Sequence, residues 1–188
     1  MKTNISCKNK FPVKMSRRGN QHGVGLVEVI VAMVLLAIGV LGFSILQVRA
    51  IEASGEALNR SQALLILRGL AEQVRANSAG QANYPAAVSG FNSSAVPTAP
   101  TSCNNNECTA AQFASWDAYR AALAANKLGM RLNMTTCPGI PAGAPIQRQC
   151  LLAGWEKTTP SIGTGTADCI SSTGRYNASA NCLLMEAY

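Results

Sequence analysis

Charge is scarce in this chain of 188 residues: Asp, Glu, Lys and Arg make up 13% of it, against roughly 25% in ordinary soluble domains. Aromatics are equally sparse at 5%, and there is a single histidine, His22. Without histidine in the body of the chain a conventional hydrolase triad is excluded there, and no phosphate loop or clustered acids stand in for it. The net charge of +7 invites a nucleic-acid reading, but six of the 16 basic residues (Lys2, Lys8, Lys10, Lys14, Arg17 and Arg18) precede Gly23 with no acid among them. The ten that remain face nine acids and are scattered. A phosphate-binding face needs clustered cations to displace counterions, so no nucleic-acid partner is expected.

Cysteine and apolar residues are what the chain does have. Six of its seven cysteines (Cys103, Cys108, Cys137, Cys150, Cys169 and Cys182) lie in the second half, and their even number points to disulfides and an oxidising compartment. Metal binding would need close CxxC pairs or histidine partners, and neither is present; no metal or other cofactor is expected. Fifteen connectivities are open to six cysteines. The sequential set, Cys103 with Cys108, Cys137 with Cys150 and Cys169 with Cys182, is preferred because each pair closes a local loop.

From Val29 to Leu46 eighteen residues run with Ser44 as the sole conventionally polar member. As a helix they span about 27 Å, enough to cross a bilayer. The basic stretch before them stays cytoplasmic by the positive-inside rule and sends the cysteine-rich part outward. A secretory signal with Val48-Arg49-Ala50 as its cleavage site is the alternative, but its apolar core would be too long. Glu28 stands directly against the run. An ionised acid near the bilayer centre costs about 2.5–3.5 kcal/mol on insertion scales, so it needs either the headgroup interface or a cation supplied in trans.

The string Gly23-Val24-Gly25-Leu26-Val27-Glu28-Val29, with a basic leader before it and an apolar helix after it, resembles the processing site of type IV pilins and pseudopilins. The resemblance implies cleavage between Gly23 and Val24 by the prepilin peptidase and N-methylation of the new terminus. It also implies a pairing of Glu28 with the terminal ammonium of another subunit during assembly. Val24 replaces the usual phenylalanine and Gly25 a frequent threonine. Met15 as the start would leave a nine-residue leader and discard Cys7.

No proline falls between Pro12 and Pro85, and residues 48–76 are rich in good helix formers, so one helix is expected from Val24 to about Asn77, with Gly39, Gly42, Gly55 and Gly69 as places to bend. Ile51, Leu58 and Leu65 recur at sevens, and Ala63, Leu67, Leu70 and Val74 form a second stripe at four, three and four. Two stripes fit two partners, the protein's own head and helices of neighbouring subunits, although a single wide core face would give the same periodicity. Arg60-Ser61-Gln62-Ala63-Leu64, then Leu70 to Asn77, Gly80 and Tyr84, look like the helix end of PilV-type minor pilins. Arg75 in the last turn suits the macrodipole, and Asn77 suits a left-handed cap.

Residues 76–106 are uncharged and rich in Ser, Ala, Asn, Gly and Pro, which predicts a loop. Thr109 then caps a helix whose Phe113, Trp116 and Leu123 form the expected core face. Cys150–Trp155 and Cys182–Tyr188 read as strands.

The expected class is therefore α+β and type IV pilin-like, with a long helix, transmembrane then amphipathic, and a small disulfide-stapled antiparallel head. The expected parts are a leader at 1–23, a membrane half at 24–48, an amphipathic half at 49–77 and a head at 78–188. The resemblance implies a non-enzymatic minor pilin. It is anchored once in the bacterial inner membrane with its head periplasmic, then carried into a pilus on the cell surface. Prepilin peptidase, other minor pilins and the major pilin are the implied partners, with a tip adhesin left open. A type II secretion pseudopilin and a signal-anchored periplasmic binding domain are the alternatives.

Overall fold

The computed structural model describes residues 25–141 and 143–188. The leader, Gly23, Val24, Cys7, His22 and the Met15 start all lie outside the described residues. The chain divides into two units, Met1–Gln47 and Val48–Tyr188.

Helix α1, Leu26–Ala76, runs through both. Its course through Val48-Arg49-Ala50 is unbroken, so the signal-peptidase alternative would cut within regular helix. In the first unit every residue from Gly25 to Gln47 is exposed, including Leu35, Leu36, Leu41 and Phe43. Ser44, the one hydroxyl of the apolar run, donates back to the Val40 carbonyl at 2.8 Å and so leaves no unmet donor.

In the second unit α1 ends at Ala76 and is followed by a 3₁₀ segment, Ser78–Asn83, and by α2, Tyr84–Ser89. This corrects the expectation of a loop from 76. Pro85 sits in the first turn of α2, where its missing N–H costs nothing, and so starts a helix within the expected loop. Asn77 does not adopt a left-handed cap (φ −105°, ψ 62°); its side chain instead caps the 3₁₀ segment by accepting from the Gly80 N–H. Helix α3, Ala110–Lys127, begins at Thr109 with a reciprocal capping box to Gln112, as the Thr109 signal predicted.

Five strands follow: β1 Met130–Thr136, β2 Gln149–Trp155, β3 Thr159–Ile162, β4 Asp168–Ile170 and β5 Cys182–Glu186. Strands β1, β2 and β5 form an antiparallel sheet in the order β1-β2-β5, and β3 and β4 pair in parallel as a second, two-stranded sheet. Register sorts the large sheet into two faces. Leu132, Ala153 and Leu183 make one rung of the first face, and Met134, Leu151 and Met185 the next. They join one apolar cluster with the buried stripe of α1 and with α2 and α3. On the other face Leu152 and Leu184 cluster with Ile170 and with Cys137, Cys150, Cys169 and Cys182. Gly154 is required here, since a Cβ would lie 2.8 Å from the Thr158 carbonyl oxygen that crosses this face.

Helix α3 contradicts the expected aromatic core. Its buried face is Ala114, Ala118, Ala121, Ala122 and Ala125, while Phe113 is 40% exposed and Trp116 and Leu123 are half-buried. Alanines let the helix axis approach closely; the bulky residues stand on the opposite side, where Trp116 stacks on Tyr119 at 5.4 Å and Tyr119 meets Phe91 at 6.1 Å.

Candidate functional site

The features that could serve assembly lie along α1, beginning with Glu28. It occupies the first turn of the helix, where a carboxylate is favoured by the macrodipole, and it is exposed among exposed apolar neighbours. The proposed cleavage pair, Gly23 and Val24, precedes the described residues.

Past Val48 the two sequence stripes separate. Ala63, Leu67, Leu70 and Val74 are at most 1% exposed, and Ala71 joins them. Ile51, Leu58 and Leu65 remain 72%, 57% and 67% exposed. A single wide core face is thereby ruled out: the head covers one stripe and leaves the other bare. Leu65 also borders a shallow groove of about 180 Å³ shared with Gly69 of α1 and Arg120 and Ala124 of α3.

Glu56 is a residue that sequence reasoning missed. Its Oε2 accepts from the indole Nε1 of buried Trp155 at 2.9 Å, and its Oε1 accepts from Arg60 at 2.8 Å. The signal was available, because Glu56 stands seven residues before Ala63 and fourteen before Leu70, on the line of the buried stripe. A carboxylate there gives the indole N–H the partner that burial demands. Elsewhere on this outer half of α1, Glu72 pairs with Arg75 and Glu52 with Arg49, both exposed.

A polar knot closes the helix end. Tyr84 is fully buried, and its hydroxyl donates to Asp117 Oδ2 at 2.7 Å while accepting from Asn77 Nδ2 at 3.3 Å. Asn77 also donates to the Ala110 carbonyl at 2.8 Å. Any Cβ on Gly80 would collide with that carbonyl oxygen and with the Asn77 amide. Burial, and then the bond to Asp117, push the Tyr84 phenol well above its ordinary value. The Asn77, Gly80 and Tyr84 positions read from the sequence as a helix end thus meet in one constellation that joins α1, α2 and α3.

The six cysteines form three bridges, Cys103–Cys108, Cys137–Cys150 and Cys169–Cys182. The last two are buried in the cluster beneath β3 and β4. Asp168 tightens the turn between β3 and β4, accepting from Ser161 Oγ at 2.6 Å and from the Gly165 N–H at 2.7 Å, and these bonds hold its carboxyl below the usual range. Among the described residues no three His, Cys, Asp or Glu side chains converge to hold a metal.

Two family models match adjoining segments. The prokaryotic N-terminal methylation motif covers residues 18–44, and the Tt1218-like family, described as type IV pilin Tt1218, covers residues 45–119. No curated protein and no solved structure matches the chain. The matches support a type IV pilin carrying the methylation motif, and the long helix, antiparallel head and three disulfides are the α+β pilin fold.

Proposed function

We propose that this type IV pilin-like chain is a minor pilin of the PilV type, a structural subunit that takes part in starting or tipping a pilus. One observation carries the proposal most of the way: the stripe of Ile51, Leu58 and Leu65 is exposed although its neighbour stripe on the same helix is buried. Exposed apolar patches of this kind mark interaction surfaces, and this one continues from the exposed apolar half of α1. Lipid covers that half before assembly, and helices of other pilins, minor and major, cover both afterwards. The head faces the periplasm, then the cell surface; a tip adhesin is a further candidate partner.

Prepilin peptidase cuts between Gly23 and Val24 and methylates the new amine. Glu28 then supplies the carboxylate for the terminal ammonium of another subunit, an attraction that in low dielectric offsets burial neither ion tolerates alone. Mass spectrometry of the mature protein should find N-methyl-Val24; a retained leader would overturn the proposal and favour a signal-anchored domain. Glu28→Ala should be processed normally yet enter fibres poorly, and normal assembly of that variant would sink its role. Deletion of the protein should abolish surface pili and twitching. Loss of exoprotein secretion with pili intact would transfer it to a type II secretion pseudopilus.

A further inference from the structure

The three-stranded sheet has two edges, and they are finished differently. In an antiparallel pair only alternate residues give their backbone groups to the neighbour. The bond from the Cys137 N–H to the Arg148 carbonyl sets the β1 ladder so that Met130, Leu132, Met134 and Thr136 turn outward. That edge is blunted at its middle: the Met134 N–H donates to Asn133 Oδ1 at 2.9 Å, and its carbonyl accepts from Ser89 Oγ of α2 at 3.1 Å.

On β5, the Trp155 N–H reaches the Asn181 carbonyl and the Ala187 N–H the Gln149 carbonyl. Leu183 and Met185 therefore face β2, while Cys182, Leu184 and Glu186 turn their backbone groups away. Cys182 is enclosed, at 1% exposed, so the accessible outward groups are those of Leu184 and Glu186; among the described residues their one hydrogen-bond partner is the Tyr176 hydroxyl, which accepts from the Leu184 N–H at 3.1 Å. Tyr176 is itself 52% exposed. Three devices that guard an edge, a proline, a lysine and a bulge, are missing from Cys182–Glu186, which leaves the Tyr176 hydroxyl as the cover over Leu184. Its one charge, Glu186, sits in an exposed pair with Arg148 at 3.2 Å.

We propose that β5 is a docking edge on which an extended segment of another subunit adds as a fourth strand, displacing the Tyr176 hydroxyl from Leu184. The inference rests on the reading of the chain as an assembling subunit. Alternating N–H and C=O groups at residues 184 and 186 are complemented by an extended backbone and by little else. Beside Leu183 and Met185, which already pack half-buried against the helix-facing core, the incoming strand presents apolar side chains. Near Glu186 it presents a cation, to which the exposed Arg148 pair yields readily. A second copy of β5 fits poorly. Antiparallel self-pairing centres on Leu184, so both Tyr176 side chains would meet at one point.

The test uses the full chain in pilus-forming cells, read as its amount in sheared fibres relative to the membrane pool. Glu186→Pro removes an outward N–H without touching the β2 ladder and should cut incorporation about tenfold. Glu186→Ala keeps the N–H and should cost less than about threefold, and Tyr176→Phe, which frees the Leu184 N–H, should not lower incorporation. The wild-type amides of Leu184 and Glu186 should exchange at least about tenfold more slowly in fibres than in detergent micelles, with Leu183 and Met185 unchanged. Wild-type incorporation of a normally folded Glu186→Pro overturns the proposal; if that variant misfolds, equal exchange of the two wild-type amides in fibre and micelle does so instead. A cross-link joining β5 of two copies overturns the choice of occupant. Absence of the wild-type protein from fibres fails the assembly reading itself, and the inference with it.

Discussion

Between Gly25 and Gln47 the chain buries none of its residues, whereas between Ala63 and Val74 the same helix buries five. The inner stretch is the more apolar of the two, so apolar content alone does not predict burial within the chain. What differs is arrangement. The inner stretch is apolar all round, which suits lipid or a bundle of helices. The outer stretch confines its apolar residues to stripes with Arg60, Arg68, Glu72 and Arg75 between them, so a sheet can cover one stripe while water or another subunit meets the other. Small residues set the distance: Ala63 and Ala71 on α1 and the five alanines of α3 let the helices settle closely on the core.

Substitutions can break this comparison or sharpen it. The largest effect is expected within the outer half itself. Leu67→Ala or Leu70→Ala should destabilise the purified full chain by about 2–5 kcal/mol in denaturant unfolding, while Leu58→Ala or Leu65→Ala should stay within about 0.5 kcal/mol. Fibre incorporation should show Leu58→Ala and Leu65→Ala as defective although their folding is intact. Equal unfolding costs for the two stripes would erase the distinction.

Next come the staples of the head. Removing the buried Cys169–Cys182 bridge, with its sequence separation of 13, should cost about 3 kcal/mol, and removing the Cys103–Cys108 bridge, separated by 5, about 2 kcal/mol. Nonreducing unfolding of the paired Cys→Ala variants would measure both, and a reversed order would mean that the cluster under β3 and β4 packs without its disulfides.

The knot at the helix end should yield about 1–3 kcal/mol on Tyr84→Phe, because Asp117 and Asn77 lose a shared partner. Its pH signature has a definite sign. The folded-state phenol titrates above its unfolded value near 10, so the stability it contributes is whole below about pH 10 and falls as pH rises beyond it. Tyr84→Phe should therefore flatten the alkaline limb of the stability profile, leaving the smaller slope of Tyr188, which burial also raises. An unchanged limb would refute the assignment.

The smallest contrast lies between two acids of α1. Glu56→Ala strands the buried Trp155 N–H and should cost about 1–2 kcal/mol with a change in tryptophan emission. Glu52→Ala, which loses only an exposed pair with Arg49, should cost less than about 0.5 kcal/mol. Matching values would mean that Glu56 is an ordinary surface acid.

Much of the architecture was legible because its signals are local. The helix of Ala110–Lys127 announced itself through Thr109, and the buried stripe of α1 through its four-three-four spacing. What escaped has a common cause. Met130–Thr136 alternates, with Met130, Leu132 and Met134 buried, but its first five residues include no β-branched or aromatic residue. Arg131 and Asn133 face carbonyls of the Thr158–Pro160 crossing, so the strand's polar residues find partners far away in sequence. The aromatic face of α3 looked like core because size suggested it; the core there is too narrow for anything but alanine.

The sequence by itself determined the long helix, its two stripes, the basic N-terminal stretch and the cysteine-rich second half, since periodicity, capping and charge asymmetry act over a few neighbouring residues. Only the tertiary structure decided which stripe the head covers, that Glu56 holds Trp155, that Tyr84 joins three helices, and that one sheet edge is blunted by α2 while the other carries only the Tyr176 hydroxyl over Leu184. Each of these depends on groups distant in the chain meeting within hydrogen-bond or van der Waals range. Such meetings are settled by packing against a shared core, and no local pattern encodes them.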